Sequence, residues 1–578
     1  MGAATRERGG NTGAVNAADI VLRNGRIYTV DDANPWAEAL AIRDGRFVAV
    51  GAAAEVRKFT GTGTHVIDLH GRFLMPGLYD MHTHPDLALA GKYDDQLTIG
   101  LEDPSPDDVR HAILEYANAR PNREWIYGHY FVHFSFRKAG IRVDRHWLDS
   151  FMPERPVAIH DRSWGCLLTN SKALEIAGIG KETRDPGNGY IQRDELTGEP
   201  TGVLIDGAYS LIYKAMPAPS PHALQAAYRD GQHFQSARGV VGTKYVHVCE
   251  HRLDALKALD DAGLLTTRVE AAISWQDDIF PVRRRWQLLA GERHYYRSNR
   301  LNANAVKFHF DGTHEARSSY LATPWPGETR WRGHLNLTRE HITDMLADMD
   351  RQGIRVIAHC TGDGASDIFL DAVAAARTKN GNTGVRHQCA HSTLLLDKNL
   401  RRFAELDVTA EFSPVGWQPI PFAYARRDAF GEERMSRAYN FRGVIDAGGN
   451  SVMGTDWPVS DFDPWIGFES MITRRDPTGK YTETFYGEGI GLEEAIRVMT
   501  INGAWSMGID EIAGSITVGK SADLVVLDNN PFDEEPHRNL HRTRVLMTII
   551  EGQVVWDAGS FFEPTGIDAA WSAPVPEI

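Results

Sequence analysis

The sequence predicts an α/β protein: a (β/α)8 TIM-like barrel with a small β-sandwich domain built from both chain ends. Three observations predict it. Strand-like and helical segments alternate through the middle of the chain. A β-rich texture occupies both ends. Residue types that bind metals recur at the ends of apolar strands.

Residues 1–18 are polar and rich in Gly and Ala, with no apolar stretch of a secretion signal, so a disordered tail is expected there. Residues 19–76 and 511–559 then read as one composite sandwich. Apolar pairs of strands flank Asn24-Gly25, Asp44-Gly45 and Glu551-Gly552, and each predicts a hairpin. Residues 66–69 and 523–527 add single strands. Neither end has enough apolar face to fold alone, so the two are expected to bury alternate residues against each other.

Residues 77–510 read as the barrel. Its strands are expected at 78–82, 241–247, 267–273, 305–310, 354–359, 385–391, 407–412 and 451–455, with helices between them such as 341–352 and 365–377. An insertion, 85–235, separates the first two strands. It carries a strand-like piece at 155–160 and helices at 106–119 and 221–238. Pro106 and Pro221 suit the first helical position, where no backbone donor is needed. A connection of this length is expected to have structure of its own and to cover the site. Residues 560–578 form a C-terminal extension.

Composition excludes several function classes. The chain has 578 residues, 42% hydrophobic and 24% charged, which is ordinary for a globular protein with a normal core. The net charge is −15 and no basic run occurs, which excludes a nucleic-acid partner. No apolar stretch approaches the roughly 20 residues that span a bilayer, so no membrane partner is expected. The four cysteines form no C-x-x-C pair and no disulfide framework, which predicts a reducing, cytoplasmic location. Analogy of fold suggests a homodimer.

The sharpest local signal is His82-Thr83-His84 after the apolar run that opens the barrel. Residues i and i+2 of a strand point to one side, so both imidazoles can grip one ion. Lys307, His359, His391 and Asp456 each lie in or at the end of another apolar strand, mostly at the C-terminal side where barrel active sites are built. Each alone has an ordinary explanation, as a solvated charge, a hydrogen-bonded loop histidine or a helix cap. The repetition of one pattern on separate strands sets them apart.

These motifs carry a resemblance. Residues 75–84 (MPGLYDMHTH), 306–312 (VKFHFDG), 359–363 (HCTGD), 454–456 (GTD) and 514–524 (GSITVGKSADL) resemble the amidohydrolase superfamily. Residues 169–174 and 190–204 resemble insertion motifs of its YtcJ-like branch, which contains N-substituted formamide deformylase. The resemblance covers nearly all of 19–557. It implies that His82 and His84 hold one metal, Zn²⁺ or another divalent ion, and that His359 and His391 hold a second or complete the site. It implies that Lys307 bridges two metals when carboxylated, and that Asp456 binds at the metal and acts as general base. Two positions depart from the branch: Ala390-His391 stands where Glu-His is frequent, and Trp164-Gly165-Cys166 stands where Gly-His-Ser is frequent.

The expected reaction is hydrolysis of a C–N amide-type bond in a small apolar or aromatic molecule, an N-acyl or N-formyl amine. A bound metal makes water more acidic and polarises the carbonyl. Trp164, His309, Asp311, Trp325, Trp417 and Trp457 are expected around the substrate. The alternatives are ester, lactone or carbamate hydrolysis or deamination at the same metal, and an inactive barrel scaffold. Lys307 counts against a deaminase, and the complete set of ligand-type residues counts against a scaffold.

Overall fold

The computed structural model describes residues 17–559 apart from 95, 100–103, 163, 188, 276–281, 283, 315, 418–420, 484–485 and 534–536. The expected extension 560–578 and most of the expected tail lie outside the described residues. Ala18 corrects the tail's end: it is buried and its N–H donates to Phe59 O at 2.8 Å.

Eight parallel strands form one sheet with each strand beside its sequence neighbours: β1 (Leu78–Thr83), β2 (Val240–Val248), β3 (Arg268–Ser274), β4 (Leu301–His309), β5 (Arg355–His359), β6 (Gln388–Ala390), β7 (Thr409–Phe412) and β8 (Asn450–Met453). The two ends of that order meet just past β8. There Asp456 N–H donates to His82 O at 2.7 Å and His84 N–H donates to Trp457 O at 2.8 Å. The result is the (β/α)8 barrel. Alternate residues of each strand enter the lumen. Val246, Ala272, Ala305, Ile357 and Ala390 fill its middle as one buried apolar layer. Lys244, Glu270, Arg355 and Gln388 lie toward the N-terminal end of the same strands, and the histidines lie toward the C-terminal end.

The 85–235 insertion carries its own sheet, in the order Gly189–Arg193, Pro200–Asp206, Cys166–Thr169, Val157–Asp161, Ile126–Phe131, Leu97–Thr98. Helices Pro106–Ala119 and Pro221–Ala237 both begin on proline, and Ser105 and Ser220 accept from the backbone at N3.

Two further sheets form the sandwich. One orders Arg46–Gly51, Ala39–Arg43, Ile20–Arg23 and His65–Asp68. The other orders Gln553–Asp557, Val545–Ile550, Leu524–Leu527, Phe73–Pro76, Arg26–Tyr28 and Trp36–Ala37, so three strands from the C-terminal end join three from the N-terminal end where Leu524–Leu527 pairs with Phe73–Pro76. Leu22, Leu40, Phe47, Leu74, Val526 and Met547 belong to their common core.

Two of the three expected hairpins form. Asp44-Gly45 and Glu551-Gly552 both hold positive φ at each residue, which matches the twist of the flanking strands. Asn24-Gly25 does not make one: Ile20–Arg23 and Arg26–Tyr28 belong to different sheets. Gly25 is not in the left-handed region. Its lack of a side chain serves packing instead, since a Cβ there would stand 2.5 Å from Leu69 Cδ1.

Candidate metal centre

The C-terminal rim of the barrel gathers six imidazoles from five strands, those of His82, His84, His247 and His359 buried and those of His309 and His391 half-buried. His82 and His84 come from β1, His247 from β2, His309 from β4, His359 from β5 and His391 from the residue after β6. Adjacent rings stand close, with centroids 4.6 Å apart for His82 and His391, for His359 and His391, and for His309 and His359. Lys307 lies among them, fully buried, its Nζ 3.3 Å from His82 Nε2. Asp456 faces them from the end of β8.

Donor atoms of four side chains converge. Asp456 Oδ1 lies 3.7 Å from His82 Nε2 and 3.5 Å from His84 Nε2, and Asp456 Oδ2 lies 3.7 Å from His391 Nδ1. Ligands about 2.1 Å from a shared tetrahedral ion stand about 3.4 Å from one another. The spacing therefore fits a divalent ion, and nitrogen with carboxylate oxygen suits Zn²⁺ and its neighbours. His82, His391 and Glu411 form a second group with donor atoms within 4.8 Å of one another. Burial holds the His82, His247 and His391 imidazoles well below their ordinary pKa, with Lys307 and the neighbouring rings acting in the same direction. They are thus neutral, the form that binds metals.

The surrounding groups fix these side chains. Glu411 Oε2 lies 2.9 Å from His82 Nδ1 and accepts from His391 N–H at 2.9 Å, so it turns His82 Nε2 toward the site. Asp311 Oδ1 lies 3.0 Å from His359 Nδ1, and its other oxygen accepts from Gly362 N–H at 2.8 Å. Val246 O lies 3.2 Å from His84 Nδ1. Asp80 accepts from Thr455 N–H and Oγ1–H, and so ties β1 to the end of β8. Burial pushes the Asp80 carboxyl up to about 7 and the Glu411 carboxyl up to about 8. Gly454 is required by close approach: a Cβ there would stand 2.4 Å from His82 Cβ. His247, His391 and Asp456 all adopt positive φ, a strained conformation for these residues that concentrates at functional sites.

The rim opens into a cavity of ≈ 100 Å³. Of the residues expected around a substrate, Trp164, His309, Asp311 and Trp417 line it. Asp311 does so as the support of His359, with both carboxylate oxygens already engaged. Trp325 and Trp457 stand elsewhere. Trp325 stacks on Phe430 and donates to Ser319 O at 3.1 Å, and Trp457 packs edge-on against Phe234. Position in sequence near a strand end gave no direction for either ring. Two residues were not found from sequence. Glu411 sits in an apolar strand, where an acid on the lumen side was the available signal. His247 follows the inward residue Val246 and would point outward in a regular strand. A register shift between Tyr245 and Val248 turns it inward, to 2.9 Å from His309 Nε2. Cys360 and Cys389 are free buried thiols.

Comparison with known proteins agrees with this architecture. The amidohydrolase family profile matches residues 65–556. The chain is 27% identical to a putative amidohydrolase, YtcJ, of Bacillus subtilis over 93% of this chain and 99% of the relative. It is 27% identical to N-substituted formamide deformylase of Arthrobacter pascens over 92% of this chain and 97% of that enzyme. An uncharacterized metal-dependent hydrolase from Pyrococcus horikoshii shares the fold, with a TM-score of 0.70 and 22% identity over 89% of this chain and 98% of its own. With the family profile spanning most of the barrel and sandwich, the chain belongs to the amidohydrolase family of hydrolases.

Proposed function

We propose that this protein hydrolyses the C–N bond of a small N-acyl or N-formyl amine with an apolar or aromatic portion. The observation that carries the reading is the approach of the Asp456 carboxylate to His82 Nε2 and His84 Nε2 at the mouth of a cavity walled by Trp164 and Trp417. The likeness to N-substituted formamide deformylase supports the choice of bond.

His82, His84 and Asp456 would hold one divalent ion, Zn²⁺ first, with His359 and His391 as the donors for a second. Such an ion supplies a Lewis acid for the carbonyl and brings the pKa of water toward about 7. An ammonium on Lys307 would repel a cation beside His82, whereas the carbamate formed when its neutral amine adds CO₂ and releases a proton would join the donor set. Glu411 and Asp311 keep His82 and His359 in the orientation and tautomer that ligation needs. Asp456 takes the proton of the attacking water and delivers it to the departing nitrogen, because an amine leaves only when protonated. The apolar walls exclude bulk water from this exchange. Free buried thiols fit a cytoplasmic site of action.

The test is a panel of N-formylbenzylamine, N-acetylbenzylamine, phenyl acetate and adenine, with amine, acid and ammonia measured separately. The expected result is benzylamine release with kcat/KM at least tenfold above the ester. Ammonia release from adenine with no amide cleavage would overturn the proposal.

A further inference from the structure

A second cavity, ≈ 410 Å³, lies beside the catalytic one, between the insertion sheet and helix Pro85–Asp94. Its outer lining, Asn122 to Glu124 and Pro217 to Ser220, is largely exposed. Its inner lining is buried and aromatic: Trp125, Tyr127, His129 and Tyr213. The catalytic cavity, at ≈ 100 Å³, falls below the roughly 300–1,000 Å³ usual for small-molecule sites.

A layer of rings separates the two. Trp164 and Tyr209 face the catalytic side, and His129 and Tyr213 face the other. Trp164 lies 4.8 Å from His129 and Tyr209 lies 5.9 Å from Tyr213, centroid to centroid. His160 fills the interval, 4.2 Å from Trp164 and 5.1 Å from Tyr209. Leu87 lines both cavities.

Trp164 is the weak member of this wall. It holds φ +57, a left-handed conformation that a bulky residue adopts only under constraint from its surroundings. Its indole N–H is buried and meets no acceptor among the described residues. Its ring rests by stacking on His129 and His160, interplanar 28° and 22°.

We infer that Trp164 is a specificity-determining partition, which closes the catalytic cavity off from an aromatic side chamber and so restricts the substrate to a compact arm on the insertion side. This rests on the hydrolytic reading for its kinetic test only. With Trp164 removed, the catalytic cavity opens onto the ring of His129 that Trp164 covers, and a long flat apolar arm that turns this ring aside reaches Tyr127 and Tyr213 in the side chamber.

The test is Trp164→Gly, a substitution that the left-handed backbone accommodates without strain. Two probes are compared, N-formylbenzylamine and N-formyl-4-phenylbenzylamine. The ratio of kcat/KM, long over short, is expected to rise at least tenfold in the variant. Met216 also lines the side chamber, so the double variant Trp164→Gly/Met216→Trp refills it and is expected to return the ratio toward wild type. Binding of 4-phenylbenzylamine, measured by calorimetry without turnover, is expected to tighten at least tenfold in Trp164→Gly. A folded Trp164→Gly protein with both ratio and binding unchanged would overturn the partition. Tighter binding with no amide turnover by any form of the protein would leave the partition standing and overturn the proposed reaction instead. A Trp164→Gly protein that fails to fold would also overturn the inference, since it would make Trp164 a structural support.

Discussion

The two ends of the barrel lumen both bury ionisable groups, and they are built in opposite ways. At the N-terminal end Lys244 Nζ donates to Gln388 Oε1 at 2.6 Å and to Ser506 Oγ at 2.7 Å, and lies 3.5 Å from Glu270. Arg355 pairs with the same Glu270 and donates to Arg386 O. Opposite charges there answer one another within the chain. At the C-terminal rim the excess runs the other way. The imidazoles of His82, His84 and His391 and the Asp456 carboxylate point toward one region, with spacings suited to an ion between them. A buried network closed on itself stabilises the barrel, whereas donors that converge without closing call for a cation.

The largest effect expected at the rim comes from Asp456→Asn. Turnover should fall by about 10²–10⁴ as the base is lost, while metal content, read by elemental analysis, stays above half of wild type. Full activity in that variant would remove Asp456 from proton transfer. Next in size, Glu411→Leu deletes the acceptor opposite His82 Nδ1. Metal affinity, measured by competition with a chromophoric chelator, should weaken by about 10–100-fold. An unchanged affinity would reduce Glu411 to a packing residue.

The opposite end should respond in stability alone. Glu270→Gln leaves Lys244 and Arg355 without their shared anion, and unfolding in urea should show a loss of about 3–5 kcal/mol. Metal affinity should stay within twofold of wild type. A large fall in metal affinity would show the two ends to be one coupled system. The same end should also respond to pH. Burial pushes Lys244 down to about 7 from its ordinary 10.5. The unfolded chain therefore binds more protons between those values, and stability should rise with pH through that window. Lys244→Met should lose this part of the rise. Identical pH profiles of urea midpoint would contradict the assignment.

The contrast also explains what was legible in sequence. The barrel could be read because each strand is an apolar run followed by helical periodicity, and the terminal hairpins because Asp44-Gly45 and Glu551-Gly552 impose a turn locally. Asn24-Gly25 misled because Gly25 answers a distant contact with Leu69, which no local pattern records. At the rim, residues that end strands were visible, since alternation fixes their side. His247 was hidden by a bulge, and Glu411 by apolar neighbours that made its strand look wholly structural. Trp325 and Trp457 show the converse, because nearness to a ligand in sequence does not set the direction of a ring.

The central claim is that the rim holds a metal ion, and crystals of protein purified without chelator test it through anomalous diffraction at the zinc edge. The account predicts a strong peak about 2.0–2.2 Å from His82 Nε2, His84 Nε2 and an Asp456 oxygen. A metal-free map after reconstitution with Zn²⁺, or imidazoles turned away from one another, would contradict it.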